Sequence, residues 1–282
     1  MDKQKRIAVI NDFSGFGRCS LTVSIPVISA AGIQCCALPT AVFSNHTGYA
    51  DYFFDDYTDK MEPYFSKWEK LGLSFNGICV GFLGSVRQTE IVMRFISRFA
   101  DKNTKIIVDP VMGDDGKTYA TLTGEHCRSL RRLAEVADIL TPNLTESCIL
   151  AGYPYNPRIS DEIELYQIAR RISSLGSKNV VITGIDLGDE IGNFIFDSNG
   201  SYHLVHNKYT GSRRAGTGDV FSSIIAADAV SEVPLLQSVK RAADFVEKAV
   251  RISDEKNVPP QDGVCFEYVL GELAAEYHSL NS

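Results

Sequence analysis

The segment Ala215-Gly216-Thr217-Gly218-Asp219 is where the sequence concentrates its chemistry. Two glycines around a threonine let the backbone turn sharply and present its N–H groups. Ahead of a helix, those groups and the helix dipole make an anion site. Residues 220–230, which follow, read as a helix. A carboxylate just beyond a ring of donors suits a general base. It takes a proton from a hydroxyl while the donors hold a phosphoryl group. The same residues also fit a plain capping turn, in which Asp219 only stabilises the helix start.

Two further acids stand at apparent strand ends. Val108-Asp109-Pro110-Val111-Met112-Gly113-Asp114 closes an apolar run with a carboxylate, and such a carboxylate holds Mg²⁺ directly or through water. Thr141-Pro142-Asn143-Leu144-Thr145-Glu146 marks another strand end, with Glu146 on the first turn of the next helix. Either acid alone fits an ordinary turn or helix start. Together with the anion turn they read as a metal–phosphate site. Two other patterns fail. Gly116-Lys117-Thr118 has the tail of a P-loop, but position 111 is Val111 and not glycine. Gly15-Phe16-Gly17 lacks the third glycine of a dinucleotide fingerprint, because position 20 is Ser20. Gly15 and Gly17 instead let the loop turn tightly or pass close to a ligand.

The elements that must position these residues alternate. Short β-branched runs at 6–10, 34–38, 77–81, 105–108, 139–141 and 179–183 read as strands. Between them, 20–31, 86–99 and 161–175 read as helices, the last stopped by Gly176. Runs 192–196 and 202–205 read as antiparallel strands near one edge, and the chain from Gly218 onward is helical in pattern. The alternation predicts an α/β fold with a mainly parallel central sheet and helices on both faces. Ligands of such sheets sit at the carboxyl ends of the strands, where the candidate residues fall. No repeat or Pro/Ser-rich linker divides the 282 residues, so one domain spanning 1–282 is expected.

Composition narrows the function classes. Net charge is −7 and the basic clusters are pairs such as Arg131-Arg132 and Arg213-Arg214, which argues against a nucleic-acid partner. No apolar run reaches a membrane span, and the start Met1-Asp2-Lys3-Gln4-Lys5-Arg6 does not resemble a secretory leader. A cytoplasmic location is the expectation, with the seven cysteines reduced and without C-x-x-C spacing.

Taken in order, these segments resemble the pyridoxal kinase branch of the ribokinase family over most of the chain. Phe43-Ser44-Asn45-His46-Thr47-Gly48-Tyr49 is similar to the vitamer-binding segment of that branch. The segments at Asp109, Thr141 and Gly216 are shared with other members, including hydroxymethylpyrimidine kinases. The resemblance implies a ribokinase-like fold and ATP-dependent phosphorylation of a B6 vitamer. Asp219 would be the base, with Gly216, Thr217 and Gly218 as the anion hole. Asp109 and Glu146 would organise Mg²⁺. Asp114, Thr141, Asn143, Glu146, Thr183 and Gly184 would lie along ATP and any monovalent cation (K⁺ or Na⁺). His46, Thr47 and Phe82 would line the vitamer pocket, and the protein would be a homodimer.

One residue departs from the pattern. Where many members have serine after the first strand, this chain has Asp12. A carboxylate there brings a charge to the ring pocket. It would pair with a protonated pyridine nitrogen or with the ammonium of pyridoxamine; otherwise it is solvated or pairs with Arg18. Arg213 and Arg214 either reach the phosphates or are ordinary exposed loop arginines. The rival readings are a hydroxymethylpyrimidine or sugar kinase, a catalytically silent vitamer-binding protein, and an NAD-dependent oxidoreductase.

Overall fold

The computed structural model describes residues 4–119, 122–208 and 211–280, so the first three residues of the N-terminal reading lie outside the described residues. The elements run β1 (Arg6–Ser14), α1 (Leu21–Ala30), β2 (Gln34–Phe43), β3 (Phe54–Asp56), α2 (Thr58–Lys70), β4 (Gly77–Val80), α3 (Val86–Phe99), β5 (Lys105–Val108), β6 (Gly113–Asp114) and β7 (Lys117–Thr118). They continue with α4 (Gly124–Ala134), β8 (Ile139–Leu140), α5 (Leu144–Ala151), α6 (Glu162–Ser173), β9 (Asn179–Asp186), β10 (Glu190–Phe196), β11 (Tyr202–Lys208), α7 (Thr217–Val230), α8 (Leu235–Glu255) and α9 (Leu270–Leu280).

Nine strands form one sheet in the order β11-β10-β9-β8-β5-β4-β1-β2-β3. The inner strands from β9 to β2 pair in parallel, and the outer pairs β9–β10, β10–β11 and β2–β3 are antiparallel. β6 and β7 form a separate small hairpin beside the sheet.

The pleat divides the core in two. Ala8, Ile10, Val80, Val108 and Leu140 face α2 to α6, in a cluster with Phe65, Phe95 and Ile168. Ile7, Val9, Cys79, Ile107 and Ile139 face the opposite way, against α1, α7, α8 and α9. Both faces are covered, and the parallel strands accordingly read as continuous apolar runs. Trp68 packs on α2 against Tyr64, Phe75 and Phe95.

Candidate active site

Strand register builds the site. Ile10, Val80, Val108, Leu140 and Val180 form one row across the parallel strands. One residue further, the N–H groups of Gly81, Asp109 and Thr141 continue the ladder onto Ile10, Val80 and Val108. Side chains alternate along a strand, so Asn11, Asp109 and Thr141 share the face of Ile107 and Ile139, on which α7 packs. Asp219 stands in the first turn of α7 and meets them there. Asn11 donates from Nδ2 to Asp219 Oδ1 at 3.0 Å. The neighbouring Gly81 leaves room for that amide, since a Cβ there would stand 2.5 Å from Asn11 Nδ2.

The anion turn is one step tighter than the sequence pattern predicts. α7 starts at Thr217 and not at Val220. The reason is Gly216, which adopts φ 77° and acts as the N-terminal cap residue of the helix. No side chain caps α7, and Val220 N–H is the first to bond back, to Gly216 C=O at 3.0 Å. The N–H groups of Thr217, Gly218 and Asp219 are therefore the orphan donors of this helix. Ser20, itself at φ 57°, contributes its backbone N–H to the Asp219 carboxylate. Burial nevertheless pushes Asp219 up to about 6, helped by the charge of Asp12 and opposed by the bonds from Ser20 and Asn11. That value suits a base working near neutral pH.

Asp109 and Glu146 meet in the same region. Burial, then the charges of Glu146 and Asp219, hold the Asp109 carboxyl well above the usual range. Burial likewise takes Glu146 up to about 8 against the backbone bonds it accepts. Those bonds come from Met112 N–H to Oε1 at 3.0 Å and from Asn143 N–H to Oε2 at 2.9 Å. The second belongs to a capping box, because Asn143 Oδ1 accepts from Glu146 N–H at 2.9 Å. Asn143 Nδ2 meanwhile donates to Gly113 C=O at 2.8 Å. Crowded carboxylates of this kind are relieved by a divalent cation, and one or two carboxylates plus phosphate oxygens are the donors Mg²⁺ prefers. Asp109 fits as the direct ligand. Glu146 spends both oxygens on the backbone, so it fits through its charge or through a bound water.

A cavity of about 560 Å³ opens beside the turn. It is lined by Asp109, Asp114, Thr141, Asn143, Glu146, Thr183, Gly184 and the whole stretch from Gly216 to Asp219. Every residue assigned to catalysis, metal or ATP thus borders one space. Its far end is made by Ile191, Asn193 and Asn207 of β10 and β11 and by Ala243, Val246, Glu247 and Val250 of α8. The two arginines before the turn differ in use. Arg213 sits at the rim, 3.9 Å from Asp114 and paired with Asp115. Arg214 is not an exposed loop arginine. Its side chain is 2% exposed and is bound to Asp254 and to Val258 C=O.

None of the residues assigned to the ring pocket lines that cavity, but Asn11 links two of them, Asp12 and Phe82, to Asp219. Phe82 N–H and Asp12 N–H both donate to Asn11 Oδ1, at 2.8 and 3.0 Å. The Phe82 ring stands 6.2 Å from that of Phe43, which also contacts Tyr52 and Phe54. Asp12 is neither solvated nor paired with Arg18. It is 5% exposed and accepts from Ser14 at 2.8 Å and Ser20 at 2.5 Å, while Arg18 turns to Glu267. Burial raises the Asp12 carboxyl above its usual range against those two bonds. His46 accepts at Nδ1 from Gly48 N–H at 3.1 Å, which leaves Nε2 as the donor to Gln261 C=O at 2.7 Å. Gly17 makes room for its ring, since a Cβ would stand 2.4 Å from His46 Cδ2. Thr47 is exposed on the following turn.

Sequence reading passed over Asn11, Ser20 and the α8 residues as working parts, and gave Phe43 no more than a place in the acceptor segment. Asn11 had one legible signal, a polar residue directly after a buried strand at the ligand edge. The others are brought in by packing alone.

Residues 25–264 match the family model described as phosphomethylpyrimidine kinase. A Bacteroides thetaiotaomicron protein, provisionally assigned as a phosphomethylpyrimidine kinase and crystallised with pyridoxal, is 37% identical with a TM-score of 0.92, covering 96% of each chain. A pyridoxine/pyridoxal/pyridoxamine kinase of Bordetella avium is 26% identical over 88% of this chain and 86% of its own. A hydroxymethylpyrimidine/phosphomethylpyrimidine kinase of Aquifex aeolicus is 29% identical over 63% and 68%. Of two longer bifunctional thiamine-biosynthesis relatives the match spans only 47% and 34%. Among the described residues no helix is long and apolar enough to cross a membrane. With the match running through both strand-end acids and the turn Gly216–Asp219, the chain belongs to the phosphomethylpyrimidine kinase family and is a kinase of ribokinase-like fold, on the side of that family which includes the pyridoxal kinases.

Proposed function

We propose that residues 1–282 form one domain that transfers the γ-phosphoryl group of ATP to the 5′-hydroxymethyl oxygen of a B6 vitamer. On this reading it works as a homodimer in the cytoplasm, with Mg²⁺ at Asp109 and Glu146 and a monovalent cation (K⁺ or Na⁺) near the phosphates. The observation that carries the proposal is the position of Asp219. Its carboxylate is held by Asn11 from the aromatic side, while its own helix start opens on the 560 Å³ cavity. A base so placed faces both a nucleotide and an acceptor.

The chemistry follows from that placement. Asp219 takes the proton of the acceptor hydroxyl, and the orphan N–H groups of residues 217–219 hold the charge that develops on the transferring oxygens. Mg²⁺, when bound, neutralises the phosphates. Thr141, Thr183 and Gly184 line the path of the nucleotide, and Asp114 and Asn143 stand at its rim. The Phe43–Phe82 pair, edge-on with ring centroids 6.2 Å apart, offers apolar ring surface to a heteroaromatic acceptor. His46 and Thr47, on the 44–50 loop, would contact the polar substituents of the vitamer. Asp12 keeps lone pairs for a cationic group of the vitamer beyond those used by Ser14 and Ser20. The crystallisation of the Bacteroides protein with pyridoxal supports the same acceptor class. The family model's own description and the Aquifex relative favour a second reading, a hydroxymethylpyrimidine acceptor at the same site.

A coupled assay of ADP release across pyridoxal, pyridoxine, pyridoxamine, hydroxymethylpyrimidine and ribose separates the two. The vitamers are expected to show the highest kcat/KM. A higher value for the pyrimidine overturns the B6 assignment. In Asp12→Ser, the preference for the vitamer carrying the cation should fall roughly tenfold, since a hydrogen bond to a charged group is worth about 1.5–3 kcal/mol. Unchanged ratios would remove Asp12 from acceptor recognition.

A further inference from the structure

The catalytic turn and the loop carrying His46 are far apart in sequence, yet both are fastened to one short segment, 258–263. On the turn's side, Arg214 Nη1 donates to Val258 C=O at 2.8 Å and Ala215 N–H to Pro260 C=O at 3.3 Å. Asp254, at the end of α8, holds the Nη2 of Arg214. Thr217 Oγ1 then donates to Arg214 C=O at 3.2 Å, which passes the restraint into the first residue of α7. On the loop's side, His46 Nε2 donates to Gln261 C=O at 2.7 Å, and Tyr49 OH donates to Asp262 Oδ1 at 2.7 Å. The β1–α1 loop is tied in as well, because Arg18 Nη1 donates to Asp262 C=O at 3.2 Å. Gly263 lets the segment pass against Gly17, where a Cβ would stand 2.6 Å from the Gly17 carbonyl oxygen.

The segment is built to be stiff. Pro259 and Pro260 fix two successive φ angles, and Pro260–Asp262 forms a single tight turn. Both partners it joins are otherwise loops. A stiff piece bonded to two loops transmits the position of each to the other.

We infer that segment 258–263 is a positioning strap, which couples the loop over the acceptor pocket to the catalytic turn through Tyr49 and His46 on one side and Arg214 on the other. The inference rests on the proposed reading only in naming the 44–50 loop as the acceptor's cover. The bonds themselves do not depend on which acceptor is used. Tyr49 is the sensitive link, since its hydroxyl can be removed without changing the volume of the ring. Its pKa is pushed up to about 12 by burial and by the bond to Asp262, so it remains a donor throughout the working range. In a coupled system the effect is reciprocal: ordering one side must order the other by the same free energy.

Amide hydrogen exchange on the full chain tests this without any acceptor. In Tyr49→Phe, exchange is expected to rise several-fold at 44–50 and also at 214–219, across the strap. In Arg214→Lys the rise should begin at 214–219 and reach 44–50. ADP added to the unaltered protein should slow exchange at 44–50, and Tyr49→Phe should abolish that slowing. Asp262→Asn, which keeps an acceptor oxygen, should behave nearly as the unaltered protein. A rise confined to the substituted side, in a folded variant, overturns the strap. Kinetics give the second reading: Tyr49→Phe should raise the acceptor KM more than the ATP KM. If no acceptor in the panel is turned over, the proposed substrate fails while the exchange result still decides the strap.

Discussion

Replacing Asp219 by alanine is expected to lower kcat by about 10² to 10⁴, the usual loss when a general base is removed. Nucleotide and acceptor should still bind, because the donors of the turn and the walls of both pockets remain. A stopped-time assay of ester formation with separate measurement of ADP affinity checks this, and near-normal kcat in the variant would refute the role. The pH profile follows from the same residue. Asp219 must be ionised to accept a proton and titrates at about 6, so kcat/KM should fall as pH drops through that region. Stability moves the other way. A carboxyl raised in the folded state binds more protons folded than unfolded between roughly pH 4 and 6, so its contribution is present at low pH and lost as pH rises. Asp109 and Glu146 are raised too and act in the same sense. Asp219→Asn should therefore keep or gain Tm at neutral pH while losing activity, which separates a missing base from a misfolded protein.

The second large effect is expected at Gly216. Its φ of 77° lies where a Cβ is strained, and the added atom would stand 1.9 Å from the Arg18 carbonyl oxygen. That oxygen belongs to the backbone of a loop already bent, with Arg18 at φ 44° and Ser20 at φ 57°. Gly216→Ala must shift the start of α7 or the β1–α1 loop, and both hold Asp219. A stability loss of about 1–3 kcal/mol is expected from the backbone alone. A fall in kcat should accompany it as the carboxylate loses its bonds to Asn11 and Ser20. Gly218 is the instructive contrast. A Cβ there meets only Asp109 Oδ2, at 3.5 Å, so Gly218→Ala should fold normally while crowding the metal and phosphate region. Thermal unfolding and kcat on both variants test the distinction. Equal Tm losses would show that the turn does not depend on the αL conformation of Gly216.

The sequence made the sheet legible because its strands are buried on both faces and read as short apolar runs. It gave the starts of β1, β2, β4, β5, β8 and β9 at the observed residues. It cut β1 short at Ile10, whereas the strand pairs with β2 as far as Ser14. Asn11, Asp12 and Ser14 look like a turn because they are polar, yet the strand runs through them and they bond to Asp219 and to one another. The start of α7 shows the same bias: the pattern reads as a helix over 220–230 with helical character only from Gly218 onward, because local pattern favours a loop over glycines, and the packing of Gly216 against Arg18 shows the helix already under way at Thr217. Asp161, read as the first residue of α6, instead caps it by accepting from Ile163 and Glu164 N–H. Asp109 and Thr141 were legible since each lies directly after a strand, where register alone brings them together. The bonds from Asn11 and Ser20 to Asp219 join segments about 200 residues apart, and the α8 wall of the cavity is brought in by its packing on α7, β10 and β11. No local pattern encodes them.

The most direct measurement is the product itself. The full chain, incubated with ATP, Mg²⁺ and pyridoxal, can be followed by ³¹P NMR with the protein unaltered and as Asp219→Asn. The account predicts ADP and a phosphate monoester of the vitamer in equal amounts from the unaltered protein, and loss of the ester signal in the variant. ADP accompanied only by inorganic phosphate, or ester formed at an undiminished rate by Asp219→Asn, would contradict it.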